Sequence, residues 1–409
     1  MANYQHNERC RVCNGTRLTL VLDLGASPPA NAFLPAHALT DTEESFPLAL
    51  YFCEDCTLAQ LLDVVDPEIL FKGYRYLTGA NAPQLKHFEK YALEVIRPLL
   101  NGPDDLVIDI GGNDGVLLSY IKDYARVLNC DPADNLAALS QERGVEFYSA
   151  FFSSDVARDL LAKYGPARVV VANNVFAHTD PIRDVFRGVE RLLDKDGVFV
   201  FEVHWAGHLV ETNCFDQIYH EHLCFYSLHA ARHLVEASGM TVFRADLVPS
   251  QGLSLRIFVA RDRQAEDSVE ALLQRERAMG LTDISAYEGF AQRVHDNRAR
   301  VLQLLAEFKA AGKRIAGYGA PAKGNTLLNF YGIGPETLDY LSDTTPLKQG
   351  LFSPGMHIPV VAPEIMRQDP PDVIFVLAWN YFDAILEAEQ ELRAAGVKFL
   401  VTVPEIRIV

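Results

Sequence analysis

A buried strand that ends in a glycine turn and leads into a helix is the pattern that most restricts how this chain can fold. Residues 106–121 read LVIDIGGNDGVLLSYI, and the next apolar run, ARVLNCDPA, follows at residues 125–133. A second unit of the same kind, GKRIAGYGAPAKGNTLLNFYG, occupies residues 312–332. Strands that alternate with helices predict parallel sheets covered by helices, so we predict an α/β protein with two Rossmann-like domains.

The first glycine turn favours one class of cofactor over another. Its sequence, GGNDG, lacks the G-x-G-x-x-G spacing that cradles the pyrophosphate of a dinucleotide. Glycines still allow backbone amides to approach a ligand, and Asp131 at the end of the following strand can bind ribose hydroxyls. The pattern therefore points away from NAD and toward S-adenosylmethionine, which has no pyrophosphate.

The seven cysteines are unevenly distributed along the chain. Cys10 with Cys13, and Cys53 with Cys56, form two C-x-x-C pairs, and each pair can supply two thiolates from a tight turn. Four thiolates complete a tetrahedral zinc site without an open position, so we predict structural zinc. A redox role for one pair is the alternative, and it accounts less well for two pairs. We expect a small metal-dependent domain here, with strands at LVLDLG and LALYFC.

The segment FDQIYHEHLCFYS, residues 215–227, carries a dense run of titratable side chains. We call it the YHEH segment, after Tyr219, His220, Glu221 and His222. Such a run suits proton transfer, because histidine titrates near neutrality and a carboxyl or phenol can tune or orient it. It suits a protein core poorly, because each buried polar group needs a partner. A solvated, histidine-rich loop is the alternative interpretation.

Two further groups of polar residues lie where predicted strands end. Asn173, Asn174 and His178 lie where the strand ARVVVANN leaves the sheet, at the carboxyl edge where open α/β sheets bind ligands. The second glycine turn carries Tyr318, Lys323 and Asn325, and a lysine beside helix-terminal amides suits a phosphate. The alternatives are structural: a hydrogen-bonded loop histidine in the first group, and a Rossmann-like unit kept for packing in the second.

Composition and net charge limit where the protein is expected to be located and which classes of partner it is expected to bind. The net charge of −17 disfavours nucleic acid and anionic membrane surfaces as partners. We find no apolar run long enough to span a membrane, and the first residues, MANYQHNERCRVC, lack the apolar core of a secretory signal. We therefore expect a soluble, cytoplasmic protein that is a monomer or a homodimer.

Taken together, these motifs resemble those of the sugar C-methyltransferases that act on nucleotide-linked 4-keto deoxysugars in antibiotic and surface-polysaccharide pathways. The resemblance extends over essentially the whole chain. Besides the C-x-x-C pairs and the YHEH segment, it includes IGGNDGVLL, NVFAH, GYGAPAKGNTLLN, KQGLFSPGMHIPV, LAWN and KFLVTVPE. It implies a zinc-binding domain at residues 1–68, an S-adenosylmethionine-dependent methyltransferase domain at 69–262, and a C-terminal Rossmann-like domain at 263–409 that helps to bind the sugar nucleotide.

The resemblance also implies which residues form each site. The zinc ligands would be Cys10, Cys13, Cys53 and Cys56. The cofactor S-adenosylmethionine would lie against Asp109, Gly111, Asn113, Gly115, Asp131, Pro132 and Asn174. The active site would combine Tyr76, His178, Tyr219, Glu221 and His222, with Tyr74 as the alternative to Tyr76. The sugar nucleotide would be bound by Ser254, Arg256, Tyr318, Lys323 and Asn325.

The implied chemistry starts from the 4-keto group, which acidifies the hydrogen on the adjacent carbon so that a neutral imidazole can remove it. We assign this role to His222, with Glu221 or Tyr219 orienting the groups around it. His178 and Tyr76 are the candidate donors to the enolate oxygen. The enolate carbon, with C3 as the leading candidate, would then attack the sulfonium methyl group in line, a step that depends mainly on positioning.

One departure from the family pattern leaves the methyl acceptor open. Where members of the family show H-G-G-S-x-R, this chain reads QGLSLR at residues 251–256. Methylation at another carbon such as C5, or of a non-sugar carbonyl compound, is therefore the second candidate function. An NAD-dependent sugar oxidoreductase is the third, disfavoured by the missing G-x-G-x-x-G, and a zinc-dependent scaffold is the fourth, disfavoured by the intact YHEH segment. The nucleotide can be dTDP, GDP or CDP.

Overall fold

The structure is a computed structural model that describes residues 3–71, 79, 82–250 and 252–409. Within these ranges the strands form four sheets: two small ones near the N-terminus, one of seven strands in the middle of the chain, and one of six strands near the C-terminus. The α/β fold class predicted from the alternating motifs is confirmed. Among the helices of the described ranges, none combines the length and the apolar character needed to cross a bilayer.

The N-terminal strands surround the two C-x-x-C pairs. They are β1 (Tyr4–His6), β2 (Leu18–Ser27), β3 (Phe46–Cys53), β4 (Ala59–Leu61) and β5 (Asp63–Val65), and helix α1 (Pro67–Phe71) follows them. β2, β3 and β4 pair antiparallel in that order, while β1 pairs with β5. The predicted strands LVLDLG and LALYFC lie inside β2 and β3. The second cysteine pair spans the turn between β3 and β4.

The middle of the chain folds as a seven-stranded sheet with helices between its strands. The strands of this part of the chain are β6 (Leu106–Ile110), β7 (Arg126–Asp131), β8 (Glu146–Ser149), β9 (Ala167–Asn173), β10 (Leu193–His204), β11 (Cys224–Phe225), β12 (Thr241–Val248) and β13 (Ser254–Ala260). All of them except β11 belong to the seven-stranded sheet. The helices are α2 (Ala82–Lys90), α3 (Val116–Ser119), α4 (Ala137–Glu142), α5 (Ser154–Tyr164), α6 (Ile182–Leu192), α7 (Ala206–Thr212) and α8 (Leu228–Ala237). The sheet order is β12-β13-β10-β9-β6-β7-β8, and β11 is the strand outside it.

The parallel part of this sheet creates a common edge for ligand binding. Strands β10, β9, β6, β7 and β8 are parallel, so their carboxyl ends meet at one edge. Every residue of β6 is buried, as expected for a central strand covered on both faces. The glycine turn after β6, Asp131 at the end of β7, the turn after β9 and His204 at the end of β10 all lie along that edge.

The short strand β11 joins the N-terminal sheet instead of the sheet of its own domain. It pairs antiparallel with β4, with Cys224 opposite Gln60 and Phe225 opposite Ala59. β11 forms part of the YHEH segment. Backbone hydrogen bonds from the zinc-binding region therefore fix the position of that segment.

The C-terminal region begins with two long helices and continues as a second α/β unit. The helices are α9 (Asp267–Ala278), α10 (Ile284–Ala310), α11 (Ala322–Tyr331), α12 (Pro363–Gln368), α13 (Phe382–Ala388) and α14 (Gln390–Ala394). The strands are β14 (Ile315–Tyr318), β15 (Leu341–Ser342), β16 (Val360–Val361), β17 (Val373–Val376), β18 (Lys398–Val401) and β19 (Arg407–Ile408). Their order is β16-β15-β14-β17-β18-β19, and β19 alone in this sheet runs antiparallel to its neighbour.

A buried carboxylate on α9 ties this region to the strand end that carries His204. Glu276 is fully buried, and its Oε1 accepts from the indole N–H of Trp205 at 2.8 Å and from the N–H of Leu228 at 2.6 Å. Its Oε2 accepts from Nδ1 of His229 at 2.7 Å. Glu276 thereby binds the first N–H groups of α8 and fixes the residue that follows β10.

We expect Glu276→Ala to destabilise the protein by about 3 kcal/mol, because several buried donors lose their acceptor at once. For a domain of this size that loss corresponds to a fall of about 6–12 °C in the midpoint of thermal unfolding. Calorimetry measures the shift, and Glu288→Ala, at an exposed position of α10, is the matched control. Equal midpoints for the two variants would contradict the assigned role.

Candidate active site

Three histidines meet at the carboxyl edge of the seven-stranded sheet. The ring centroids of His178 and His222 lie 5.1 Å apart, and those of His204 and His222 lie 4.6 Å apart. His178 comes from the turn after β9, His204 ends β10, and His222 belongs to the YHEH segment. We call these three rings the histidine cluster. The fold thus joins His178 to the YHEH segment, two features that the sequence presents separately.

Backbone hydrogen bonds at Leu223 hold the YHEH segment from both sides. The Leu223 N–H donates to the carbonyl of Ala177 at 2.6 Å, and the Leu223 carbonyl accepts from the N–H of Leu61 at 2.9 Å. The guanidinium of Arg11 donates to the carbonyls of Leu61 and Leu223, at 2.6 Å and 3.3 Å. Because Arg11 follows Cys10 directly, the first cysteine pair is connected to the YHEH segment through the hydrogen bonds of Arg11.

The polar side chains of the YHEH segment point in different directions. His220 is 1% exposed, donates from Nε2 to the carbonyl of Phe46 at 3.1 Å, and packs edge-on against the Phe46 ring. It therefore belongs to the interface with the N-terminal sheet. Glu221 accepts a hydrogen bond from Nδ2 of Asn31 at 2.7 Å. Burial raises the pKa of the Glu221 carboxyl, and the bond from Asn31 opposes the rise.

Tyr219 and His222 form a hydrogen-bonded pair whose direction is decided by the backbone. His222 Nδ1 lies 2.8 Å from the carbonyl oxygen of Gln217, which can only accept, so Nδ1 carries the ring proton. The lone pair of the neutral ring is then on Nε2, to which the Tyr219 hydroxyl donates at 2.8 Å. Burial, with the nearby imidazoles of His204 and His178, holds the pKa of His222 well below its usual value. His222 is therefore a neutral ring with its basic nitrogen at Tyr219.

His178 has the same tautomer for the same reason. Its Nδ1 donates to the carbonyl of Glu221 at 2.6 Å, so the neutral ring has its lone pair on Nε2. Burial lowers the pKa of His178 to about 4, which disfavours the doubly protonated ring. Donation to an enolate oxygen, the role predicted for His178, requires that doubly protonated form. Tyr76, the other predicted donor, and its alternative Tyr74 lie outside the described residues.

The C-terminal domain contacts the YHEH segment through a buried hydrogen bond. The indole N–H of Trp379 donates to Oδ2 of Asp216 at 2.6 Å, and Asp216 is fully buried. The Lys323 ammonium lies 3.8 Å from the centre of the Trp379 ring and donates to Asn380 at 2.6 Å. Burial raises the pKa of Asp216 to about 6 and lowers the pKa of Lys323 to about 8. Lys323, predicted to bind the sugar nucleotide, is thus connected to the active-site segment.

Ser254 and Arg256, also predicted to bind the sugar nucleotide, have protein partners. The Ser254 hydroxyl is buried and donates to the carbonyl of Ser250 at 2.8 Å. Arg256 Nε donates to the carboxylate of Glu202 at 2.6 Å, and His87 Nε2 lies 3.0 Å from the same group. Glu202 is completely buried, so it needs the charge of Arg256. This ion pair accounts for the arginine of QGLSLR without a ligand; the first residue of that motif lies outside the described residues.

Tyr318 and Asn325 lie in different parts of the C-terminal domain. The Tyr318 hydroxyl donates to Glu389 at 3.0 Å, and Glu389 also accepts from Arg367 at 2.7 Å. Asn325 is fully buried, and its Nδ2 donates to the carbonyl of Ala30 at 2.8 Å. Neither side chain contacts the histidine cluster in the part of the chain that the structure describes, and their role in substrate binding stays a prediction.

The glycine turn after β6 forms a tight cradle beside the histidine cluster. The φ angles of Gly111, Asn113 and Gly115 are +67°, +52° and +75°, in the left-handed region. A Cβ on Gly111 would lie 2.5 Å from the side chain of Val175, so the close contact between the turns after β6 and β9 requires glycine. The turn after β9 also contains Asn174, with a φ angle of +57°.

Carboxyl and amide groups border this cradle. Asp131 accepts the N–H of Asn113 at 3.0 Å and that of Ala133 at 2.9 Å. Asp109 is 2% exposed, and burial, with the charge of Asp131 adding to it, holds its pKa well above the usual value. Oδ1 of Asp109 and Oδ1 of Asn174 are buried without a hydrogen-bond partner among the described residues. Such atoms are costly to leave unpaired, so they mark positions where a hydrogen-bonding ligand fits.

The two C-x-x-C pairs converge on one point. The Sγ atoms of Cys10, Cys13, Cys53 and Cys56 all lie within 4.8 Å of one another. The distances from Cys10 to Cys56 and from Cys13 to Cys53 are both 3.5 Å between sulfurs. Four thiolates at about 2.3 Å from a tetrahedral zinc ion lie about 3.8 Å from each other, so the four sulfurs fit zinc. With four protein ligands the ion would have no open position, as expected of a structural site.

Comparison with known proteins identifies the family. The C-methyltransferase NovU of Streptomyces niveus is 35% identical over 406 residues, which are 98% of this chain and 97% of that protein. This chain belongs to the C-methyltransferase family. Family profiles of a zinc binding domain, a methyltransferase domain and a C-methyltransferase C-terminal domain match residues 10–71, 85–245 and 249–404. The family resemblance drawn from the sequence motifs is confirmed.

Solved structures of other methyltransferases resemble part of the chain. The magnesium protoporphyrin IX methyltransferase ChlM of Synechocystis PCC 6803, solved with bound SAM, is 16% identical, covers 44% of this chain and 82% of that chain, and has a TM-score of 0.33. An S-adenosylmethionine-dependent methyltransferase of Clostridium acetobutylicum is 11% identical, covers 44% and 92%, and has a TM-score of 0.35. Both scores are below 0.5, so these likenesses support no conclusion about this chain.

The C-methyltransferase uses S-adenosylmethionine as its methyl donor and has a zinc-binding N-terminal domain. The cradle fits the donor, because the Asp131 carboxylate and the unpaired acceptors of Asp109 and Asn174 suit the hydroxyl and ammonium hydrogens of that cofactor. Pro132 and Gly115 border the same turns. The assignment of individual cofactor-binding residues stays a prediction.

Three residues of the site were missed by sequence reasoning. His204 ends the strand in GVFVFEVHW, and its place at a strand's carboxyl end was a usable signal. Asn31 lies in the loop after β2, and nothing near it in the sequence connects it to Glu221. Trp379 belongs to the motif LAWN, which indicated the family but not a contact with Asp216.

We expect the purified protein to hold about one zinc ion per chain, and Cys53→Ala to lose most of it because three thiolates bind zinc more weakly than four. The same variant should unfold at a lower temperature, since metal binding contributes to the folding of such domains. Elemental analysis and thermal unfolding measure the two effects. Cys130→Ala, at a buried cysteine in β7, is the control and should keep its zinc. Full zinc occupancy in Cys53→Ala would refute the four-thiolate site.

We expect Asp131→Asn to weaken the binding of S-adenosylhomocysteine by about 10- to 100-fold, the cost of losing charge-assisted hydrogen bonds to hydroxyls. Asparagine keeps an oxygen that can accept one of the two backbone N–H groups, so the turn itself is preserved. Titration calorimetry measures the dissociation constant. Asp123→Asn, at an exposed position before β7, should bind like the unaltered protein. An unchanged constant in Asp131→Asn would remove Asp131 from the cofactor site.

Proposed function

We propose that this C-methyltransferase methylates a carbon next to the 4-keto group of a nucleotide-linked deoxysugar, with C3 as the leading position, through an enolate generated by His222. The observation that carries the proposal is the Tyr219–His222 pair, in which a buried neutral imidazole has its basic nitrogen fixed on Nε2. A neutral imidazole of this kind can remove the proton of a carbon next to a ketone. The sequence motifs shared with sugar C-methyltransferases support the class of acceptor.

The roles of the cofactor and of the protein side chains follow from the chemistry of methyl transfer. S-adenosylmethionine, when bound, supplies an electrophilic methyl group on a positively charged sulfur. The side chains have to make the acceptor carbon nucleophilic and hold it in place. His222 Nε2 takes the proton of the carbon next to the ketone, the C–H electron pair forms the C=C bond, and the carbonyl π pair moves to oxygen. The Tyr219 hydroxyl, which donates to the same nitrogen, moves aside or relays the proton when the substrate enters.

Neutral imidazoles in the histidine cluster favour this reaction. Burial lowers the pKa of His178 to about 4, and burial with nearby imidazoles lowers the pKa of His204 to about 4. At neutral pH the three rings therefore keep their lone pairs until the substrate proton is taken up, and His178 and His204 add no imidazolium of their own that could protonate the enolate carbon.

The rest of the acceptor has two candidate contacts. Glu221, which precedes His222 in the chain, and Asn31 form a buried pair of carboxyl and amide groups, which suits sugar hydroxyls. Lys323 carries the positive charge that a diphosphate needs, and its contact with Trp379 links it to the YHEH segment through Asp216. We assign Lys323 to the nucleotide diphosphate on these grounds.

The proposal is tested by incubating the protein with a panel of dTDP-, GDP- and CDP-linked 4-keto-6-deoxyhexoses and S-adenosylmethionine, and by measuring product mass. A gain of one methyl group on a nucleotide sugar supports the proposal and identifies the nucleotide. A parallel incubation with S-adenosylhomocysteine in D₂O locates the carbon, because the enzyme then exchanges the acidic hydrogen without methylating. Exchange at C5, or methylation of a non-sugar ketone alone, would favour the second candidate function.

We expect His222→Ala to lose methylation and deuterium exchange by about 10²- to 10⁴-fold, the usual contribution of a general base. Binding of S-adenosylhomocysteine should remain, because the cradle after β6 is built from other residues. His233→Ala, at an exposed position of α8, is the control for removing an imidazole. Near-normal exchange in His222→Ala would remove His222 from the role of base.

A further inference from the structure

His204 is a buried histidine whose ring forms no hydrogen bond with the residues that the structure describes. It is 8% exposed, and its ring lies 4.6 Å from that of His222 between centroids. Its Nδ1 is inaccessible to solvent and unpaired, and its Nε2 bonds to no other described residue. A histidine kept only for packing normally has a partner for its ring nitrogens. The unpaired ring beside the proposed base therefore points to a ligand.

The tautomers of the cluster divide its members into acceptors and a donor. Neutral His178 and His222 each give their one N–H to a backbone carbonyl, so their other nitrogens can only accept. No carbonyl is bound to Nδ1 of His204. A buried N–H without an acceptor is rarer than a buried acceptor without a donor, so the proton of His204 belongs on Nε2, its less buried nitrogen. His204 is then the ring of the cluster that can donate while neutral.

The strand order separates His204 from the cofactor side of the sheet. The glycine turn follows β6 and Asp131 ends β7, whereas β10, which His204 ends, lies beyond β9 on the other side of β6. His204 contacts the YHEH segment through His222. A hydrogen-bond donor at this position faces the methyl acceptor more directly than it faces S-adenosylmethionine.

We propose that His204 donates a hydrogen bond from Nε2 to the ketone oxygen of the methyl acceptor and stabilises the enolate that forms when His222 removes the adjacent proton. This inference rests on the proposed function. As the C–H bond breaks, its proton goes to His222 Nε2 and negative charge develops on oxygen, where a fixed donor in a buried site acts strongly. A neutral imidazole stabilises that charge without giving up its proton, so the carbon stays available for methylation. His204 thereby takes the donor role that neutral His178 cannot fill.

The first test compares His204→Leu with His204→Gln in the full-length protein. Leucine removes the donor at similar volume, whereas the amide nitrogen of glutamine keeps an N–H near the position of Nε2. We expect His204→Leu to lower kcat and the rate of deuterium exchange about 10²- to 10³-fold with a small change in KM, the cost of removing one oxyanion donor. We expect kcat and the exchange rate of His204→Gln to stay within about tenfold of those of the unaltered protein. The control His233→Leu should have the same rates as the unaltered protein.

Exchange by His204→Leu within about threefold of the unaltered protein would overturn the inference. So would equal losses in the leucine and glutamine variants, because packing rather than donation would then matter. If the unaltered protein exchanges no member of the 4-keto nucleotide-sugar panel, the proposed function fails.

A second test needs no substrate. Long-range ¹H–¹⁵N correlation spectra of protein labelled with ¹⁵N-histidine report the tautomer of each ring, and the variants at positions 178, 204 and 222 assign the signals. We expect a proton on Nε2 of His204 and on Nδ1 of His178 and His222. A proton on Nδ1 of His204 would overturn the inference, even if the panel of nucleotide sugars gives no reaction.

Discussion

The backbone pairing between β11 and β4 is the interaction on which the active site depends. It places the end of the YHEH segment in the sheet of the zinc-binding region, while the N–H of Leu223 bonds to Ala177 in the turn that carries His178. The histidine cluster is thus assembled between two domains, and neither could hold the segment by itself. Four thiolates hold the turn between β3 and β4 and the loop that contains Arg11, so structural zinc stabilises the region against which the segment packs.

Burial gives the histidine cluster its chemical character. Transfer of an imidazole out of water disfavours its charged form, and each neighbouring ring adds to that effect. Backbone carbonyls then select which nitrogen of His178 and His222 is basic. The carbonyl of Glu221 is one of these acceptors, so the YHEH segment orients a histidine from another loop as well as its own. The contact between Asp216 and Trp379 connects the same segment to the C-terminal domain.

Local patterns were sufficient to predict several features because short-range geometry controls them. Alternating strands and helices indicated the sheets, two-residue spacing indicated zinc, and glycines marked the turn after β6, where Gly111 has no room for a Cβ. The direction of side chains in an irregular segment was not predictable in this way. His220 and His222 are two residues apart, yet one packs on Phe46 and the other joins the cluster. Arg256, predicted to bind the sugar nucleotide, is paired with Glu202, its partner across β10 and β13, and its role in substrate binding stays a prediction.

The sequence by itself determined the α/β class, the four-cysteine cluster, the family and the position of a segment rich in titratable side chains, because each depends on residue types at short, characteristic spacings. Tertiary structure decided which titratable groups meet, which nitrogen of each ring carries a proton, and which charges are already paired. Those properties depend on contacts between residues far apart in the chain, such as Asn31 with Glu221 and His204 with His222. Such contacts arise only when the whole chain has folded, and burial then sets the chemistry of the groups they enclose.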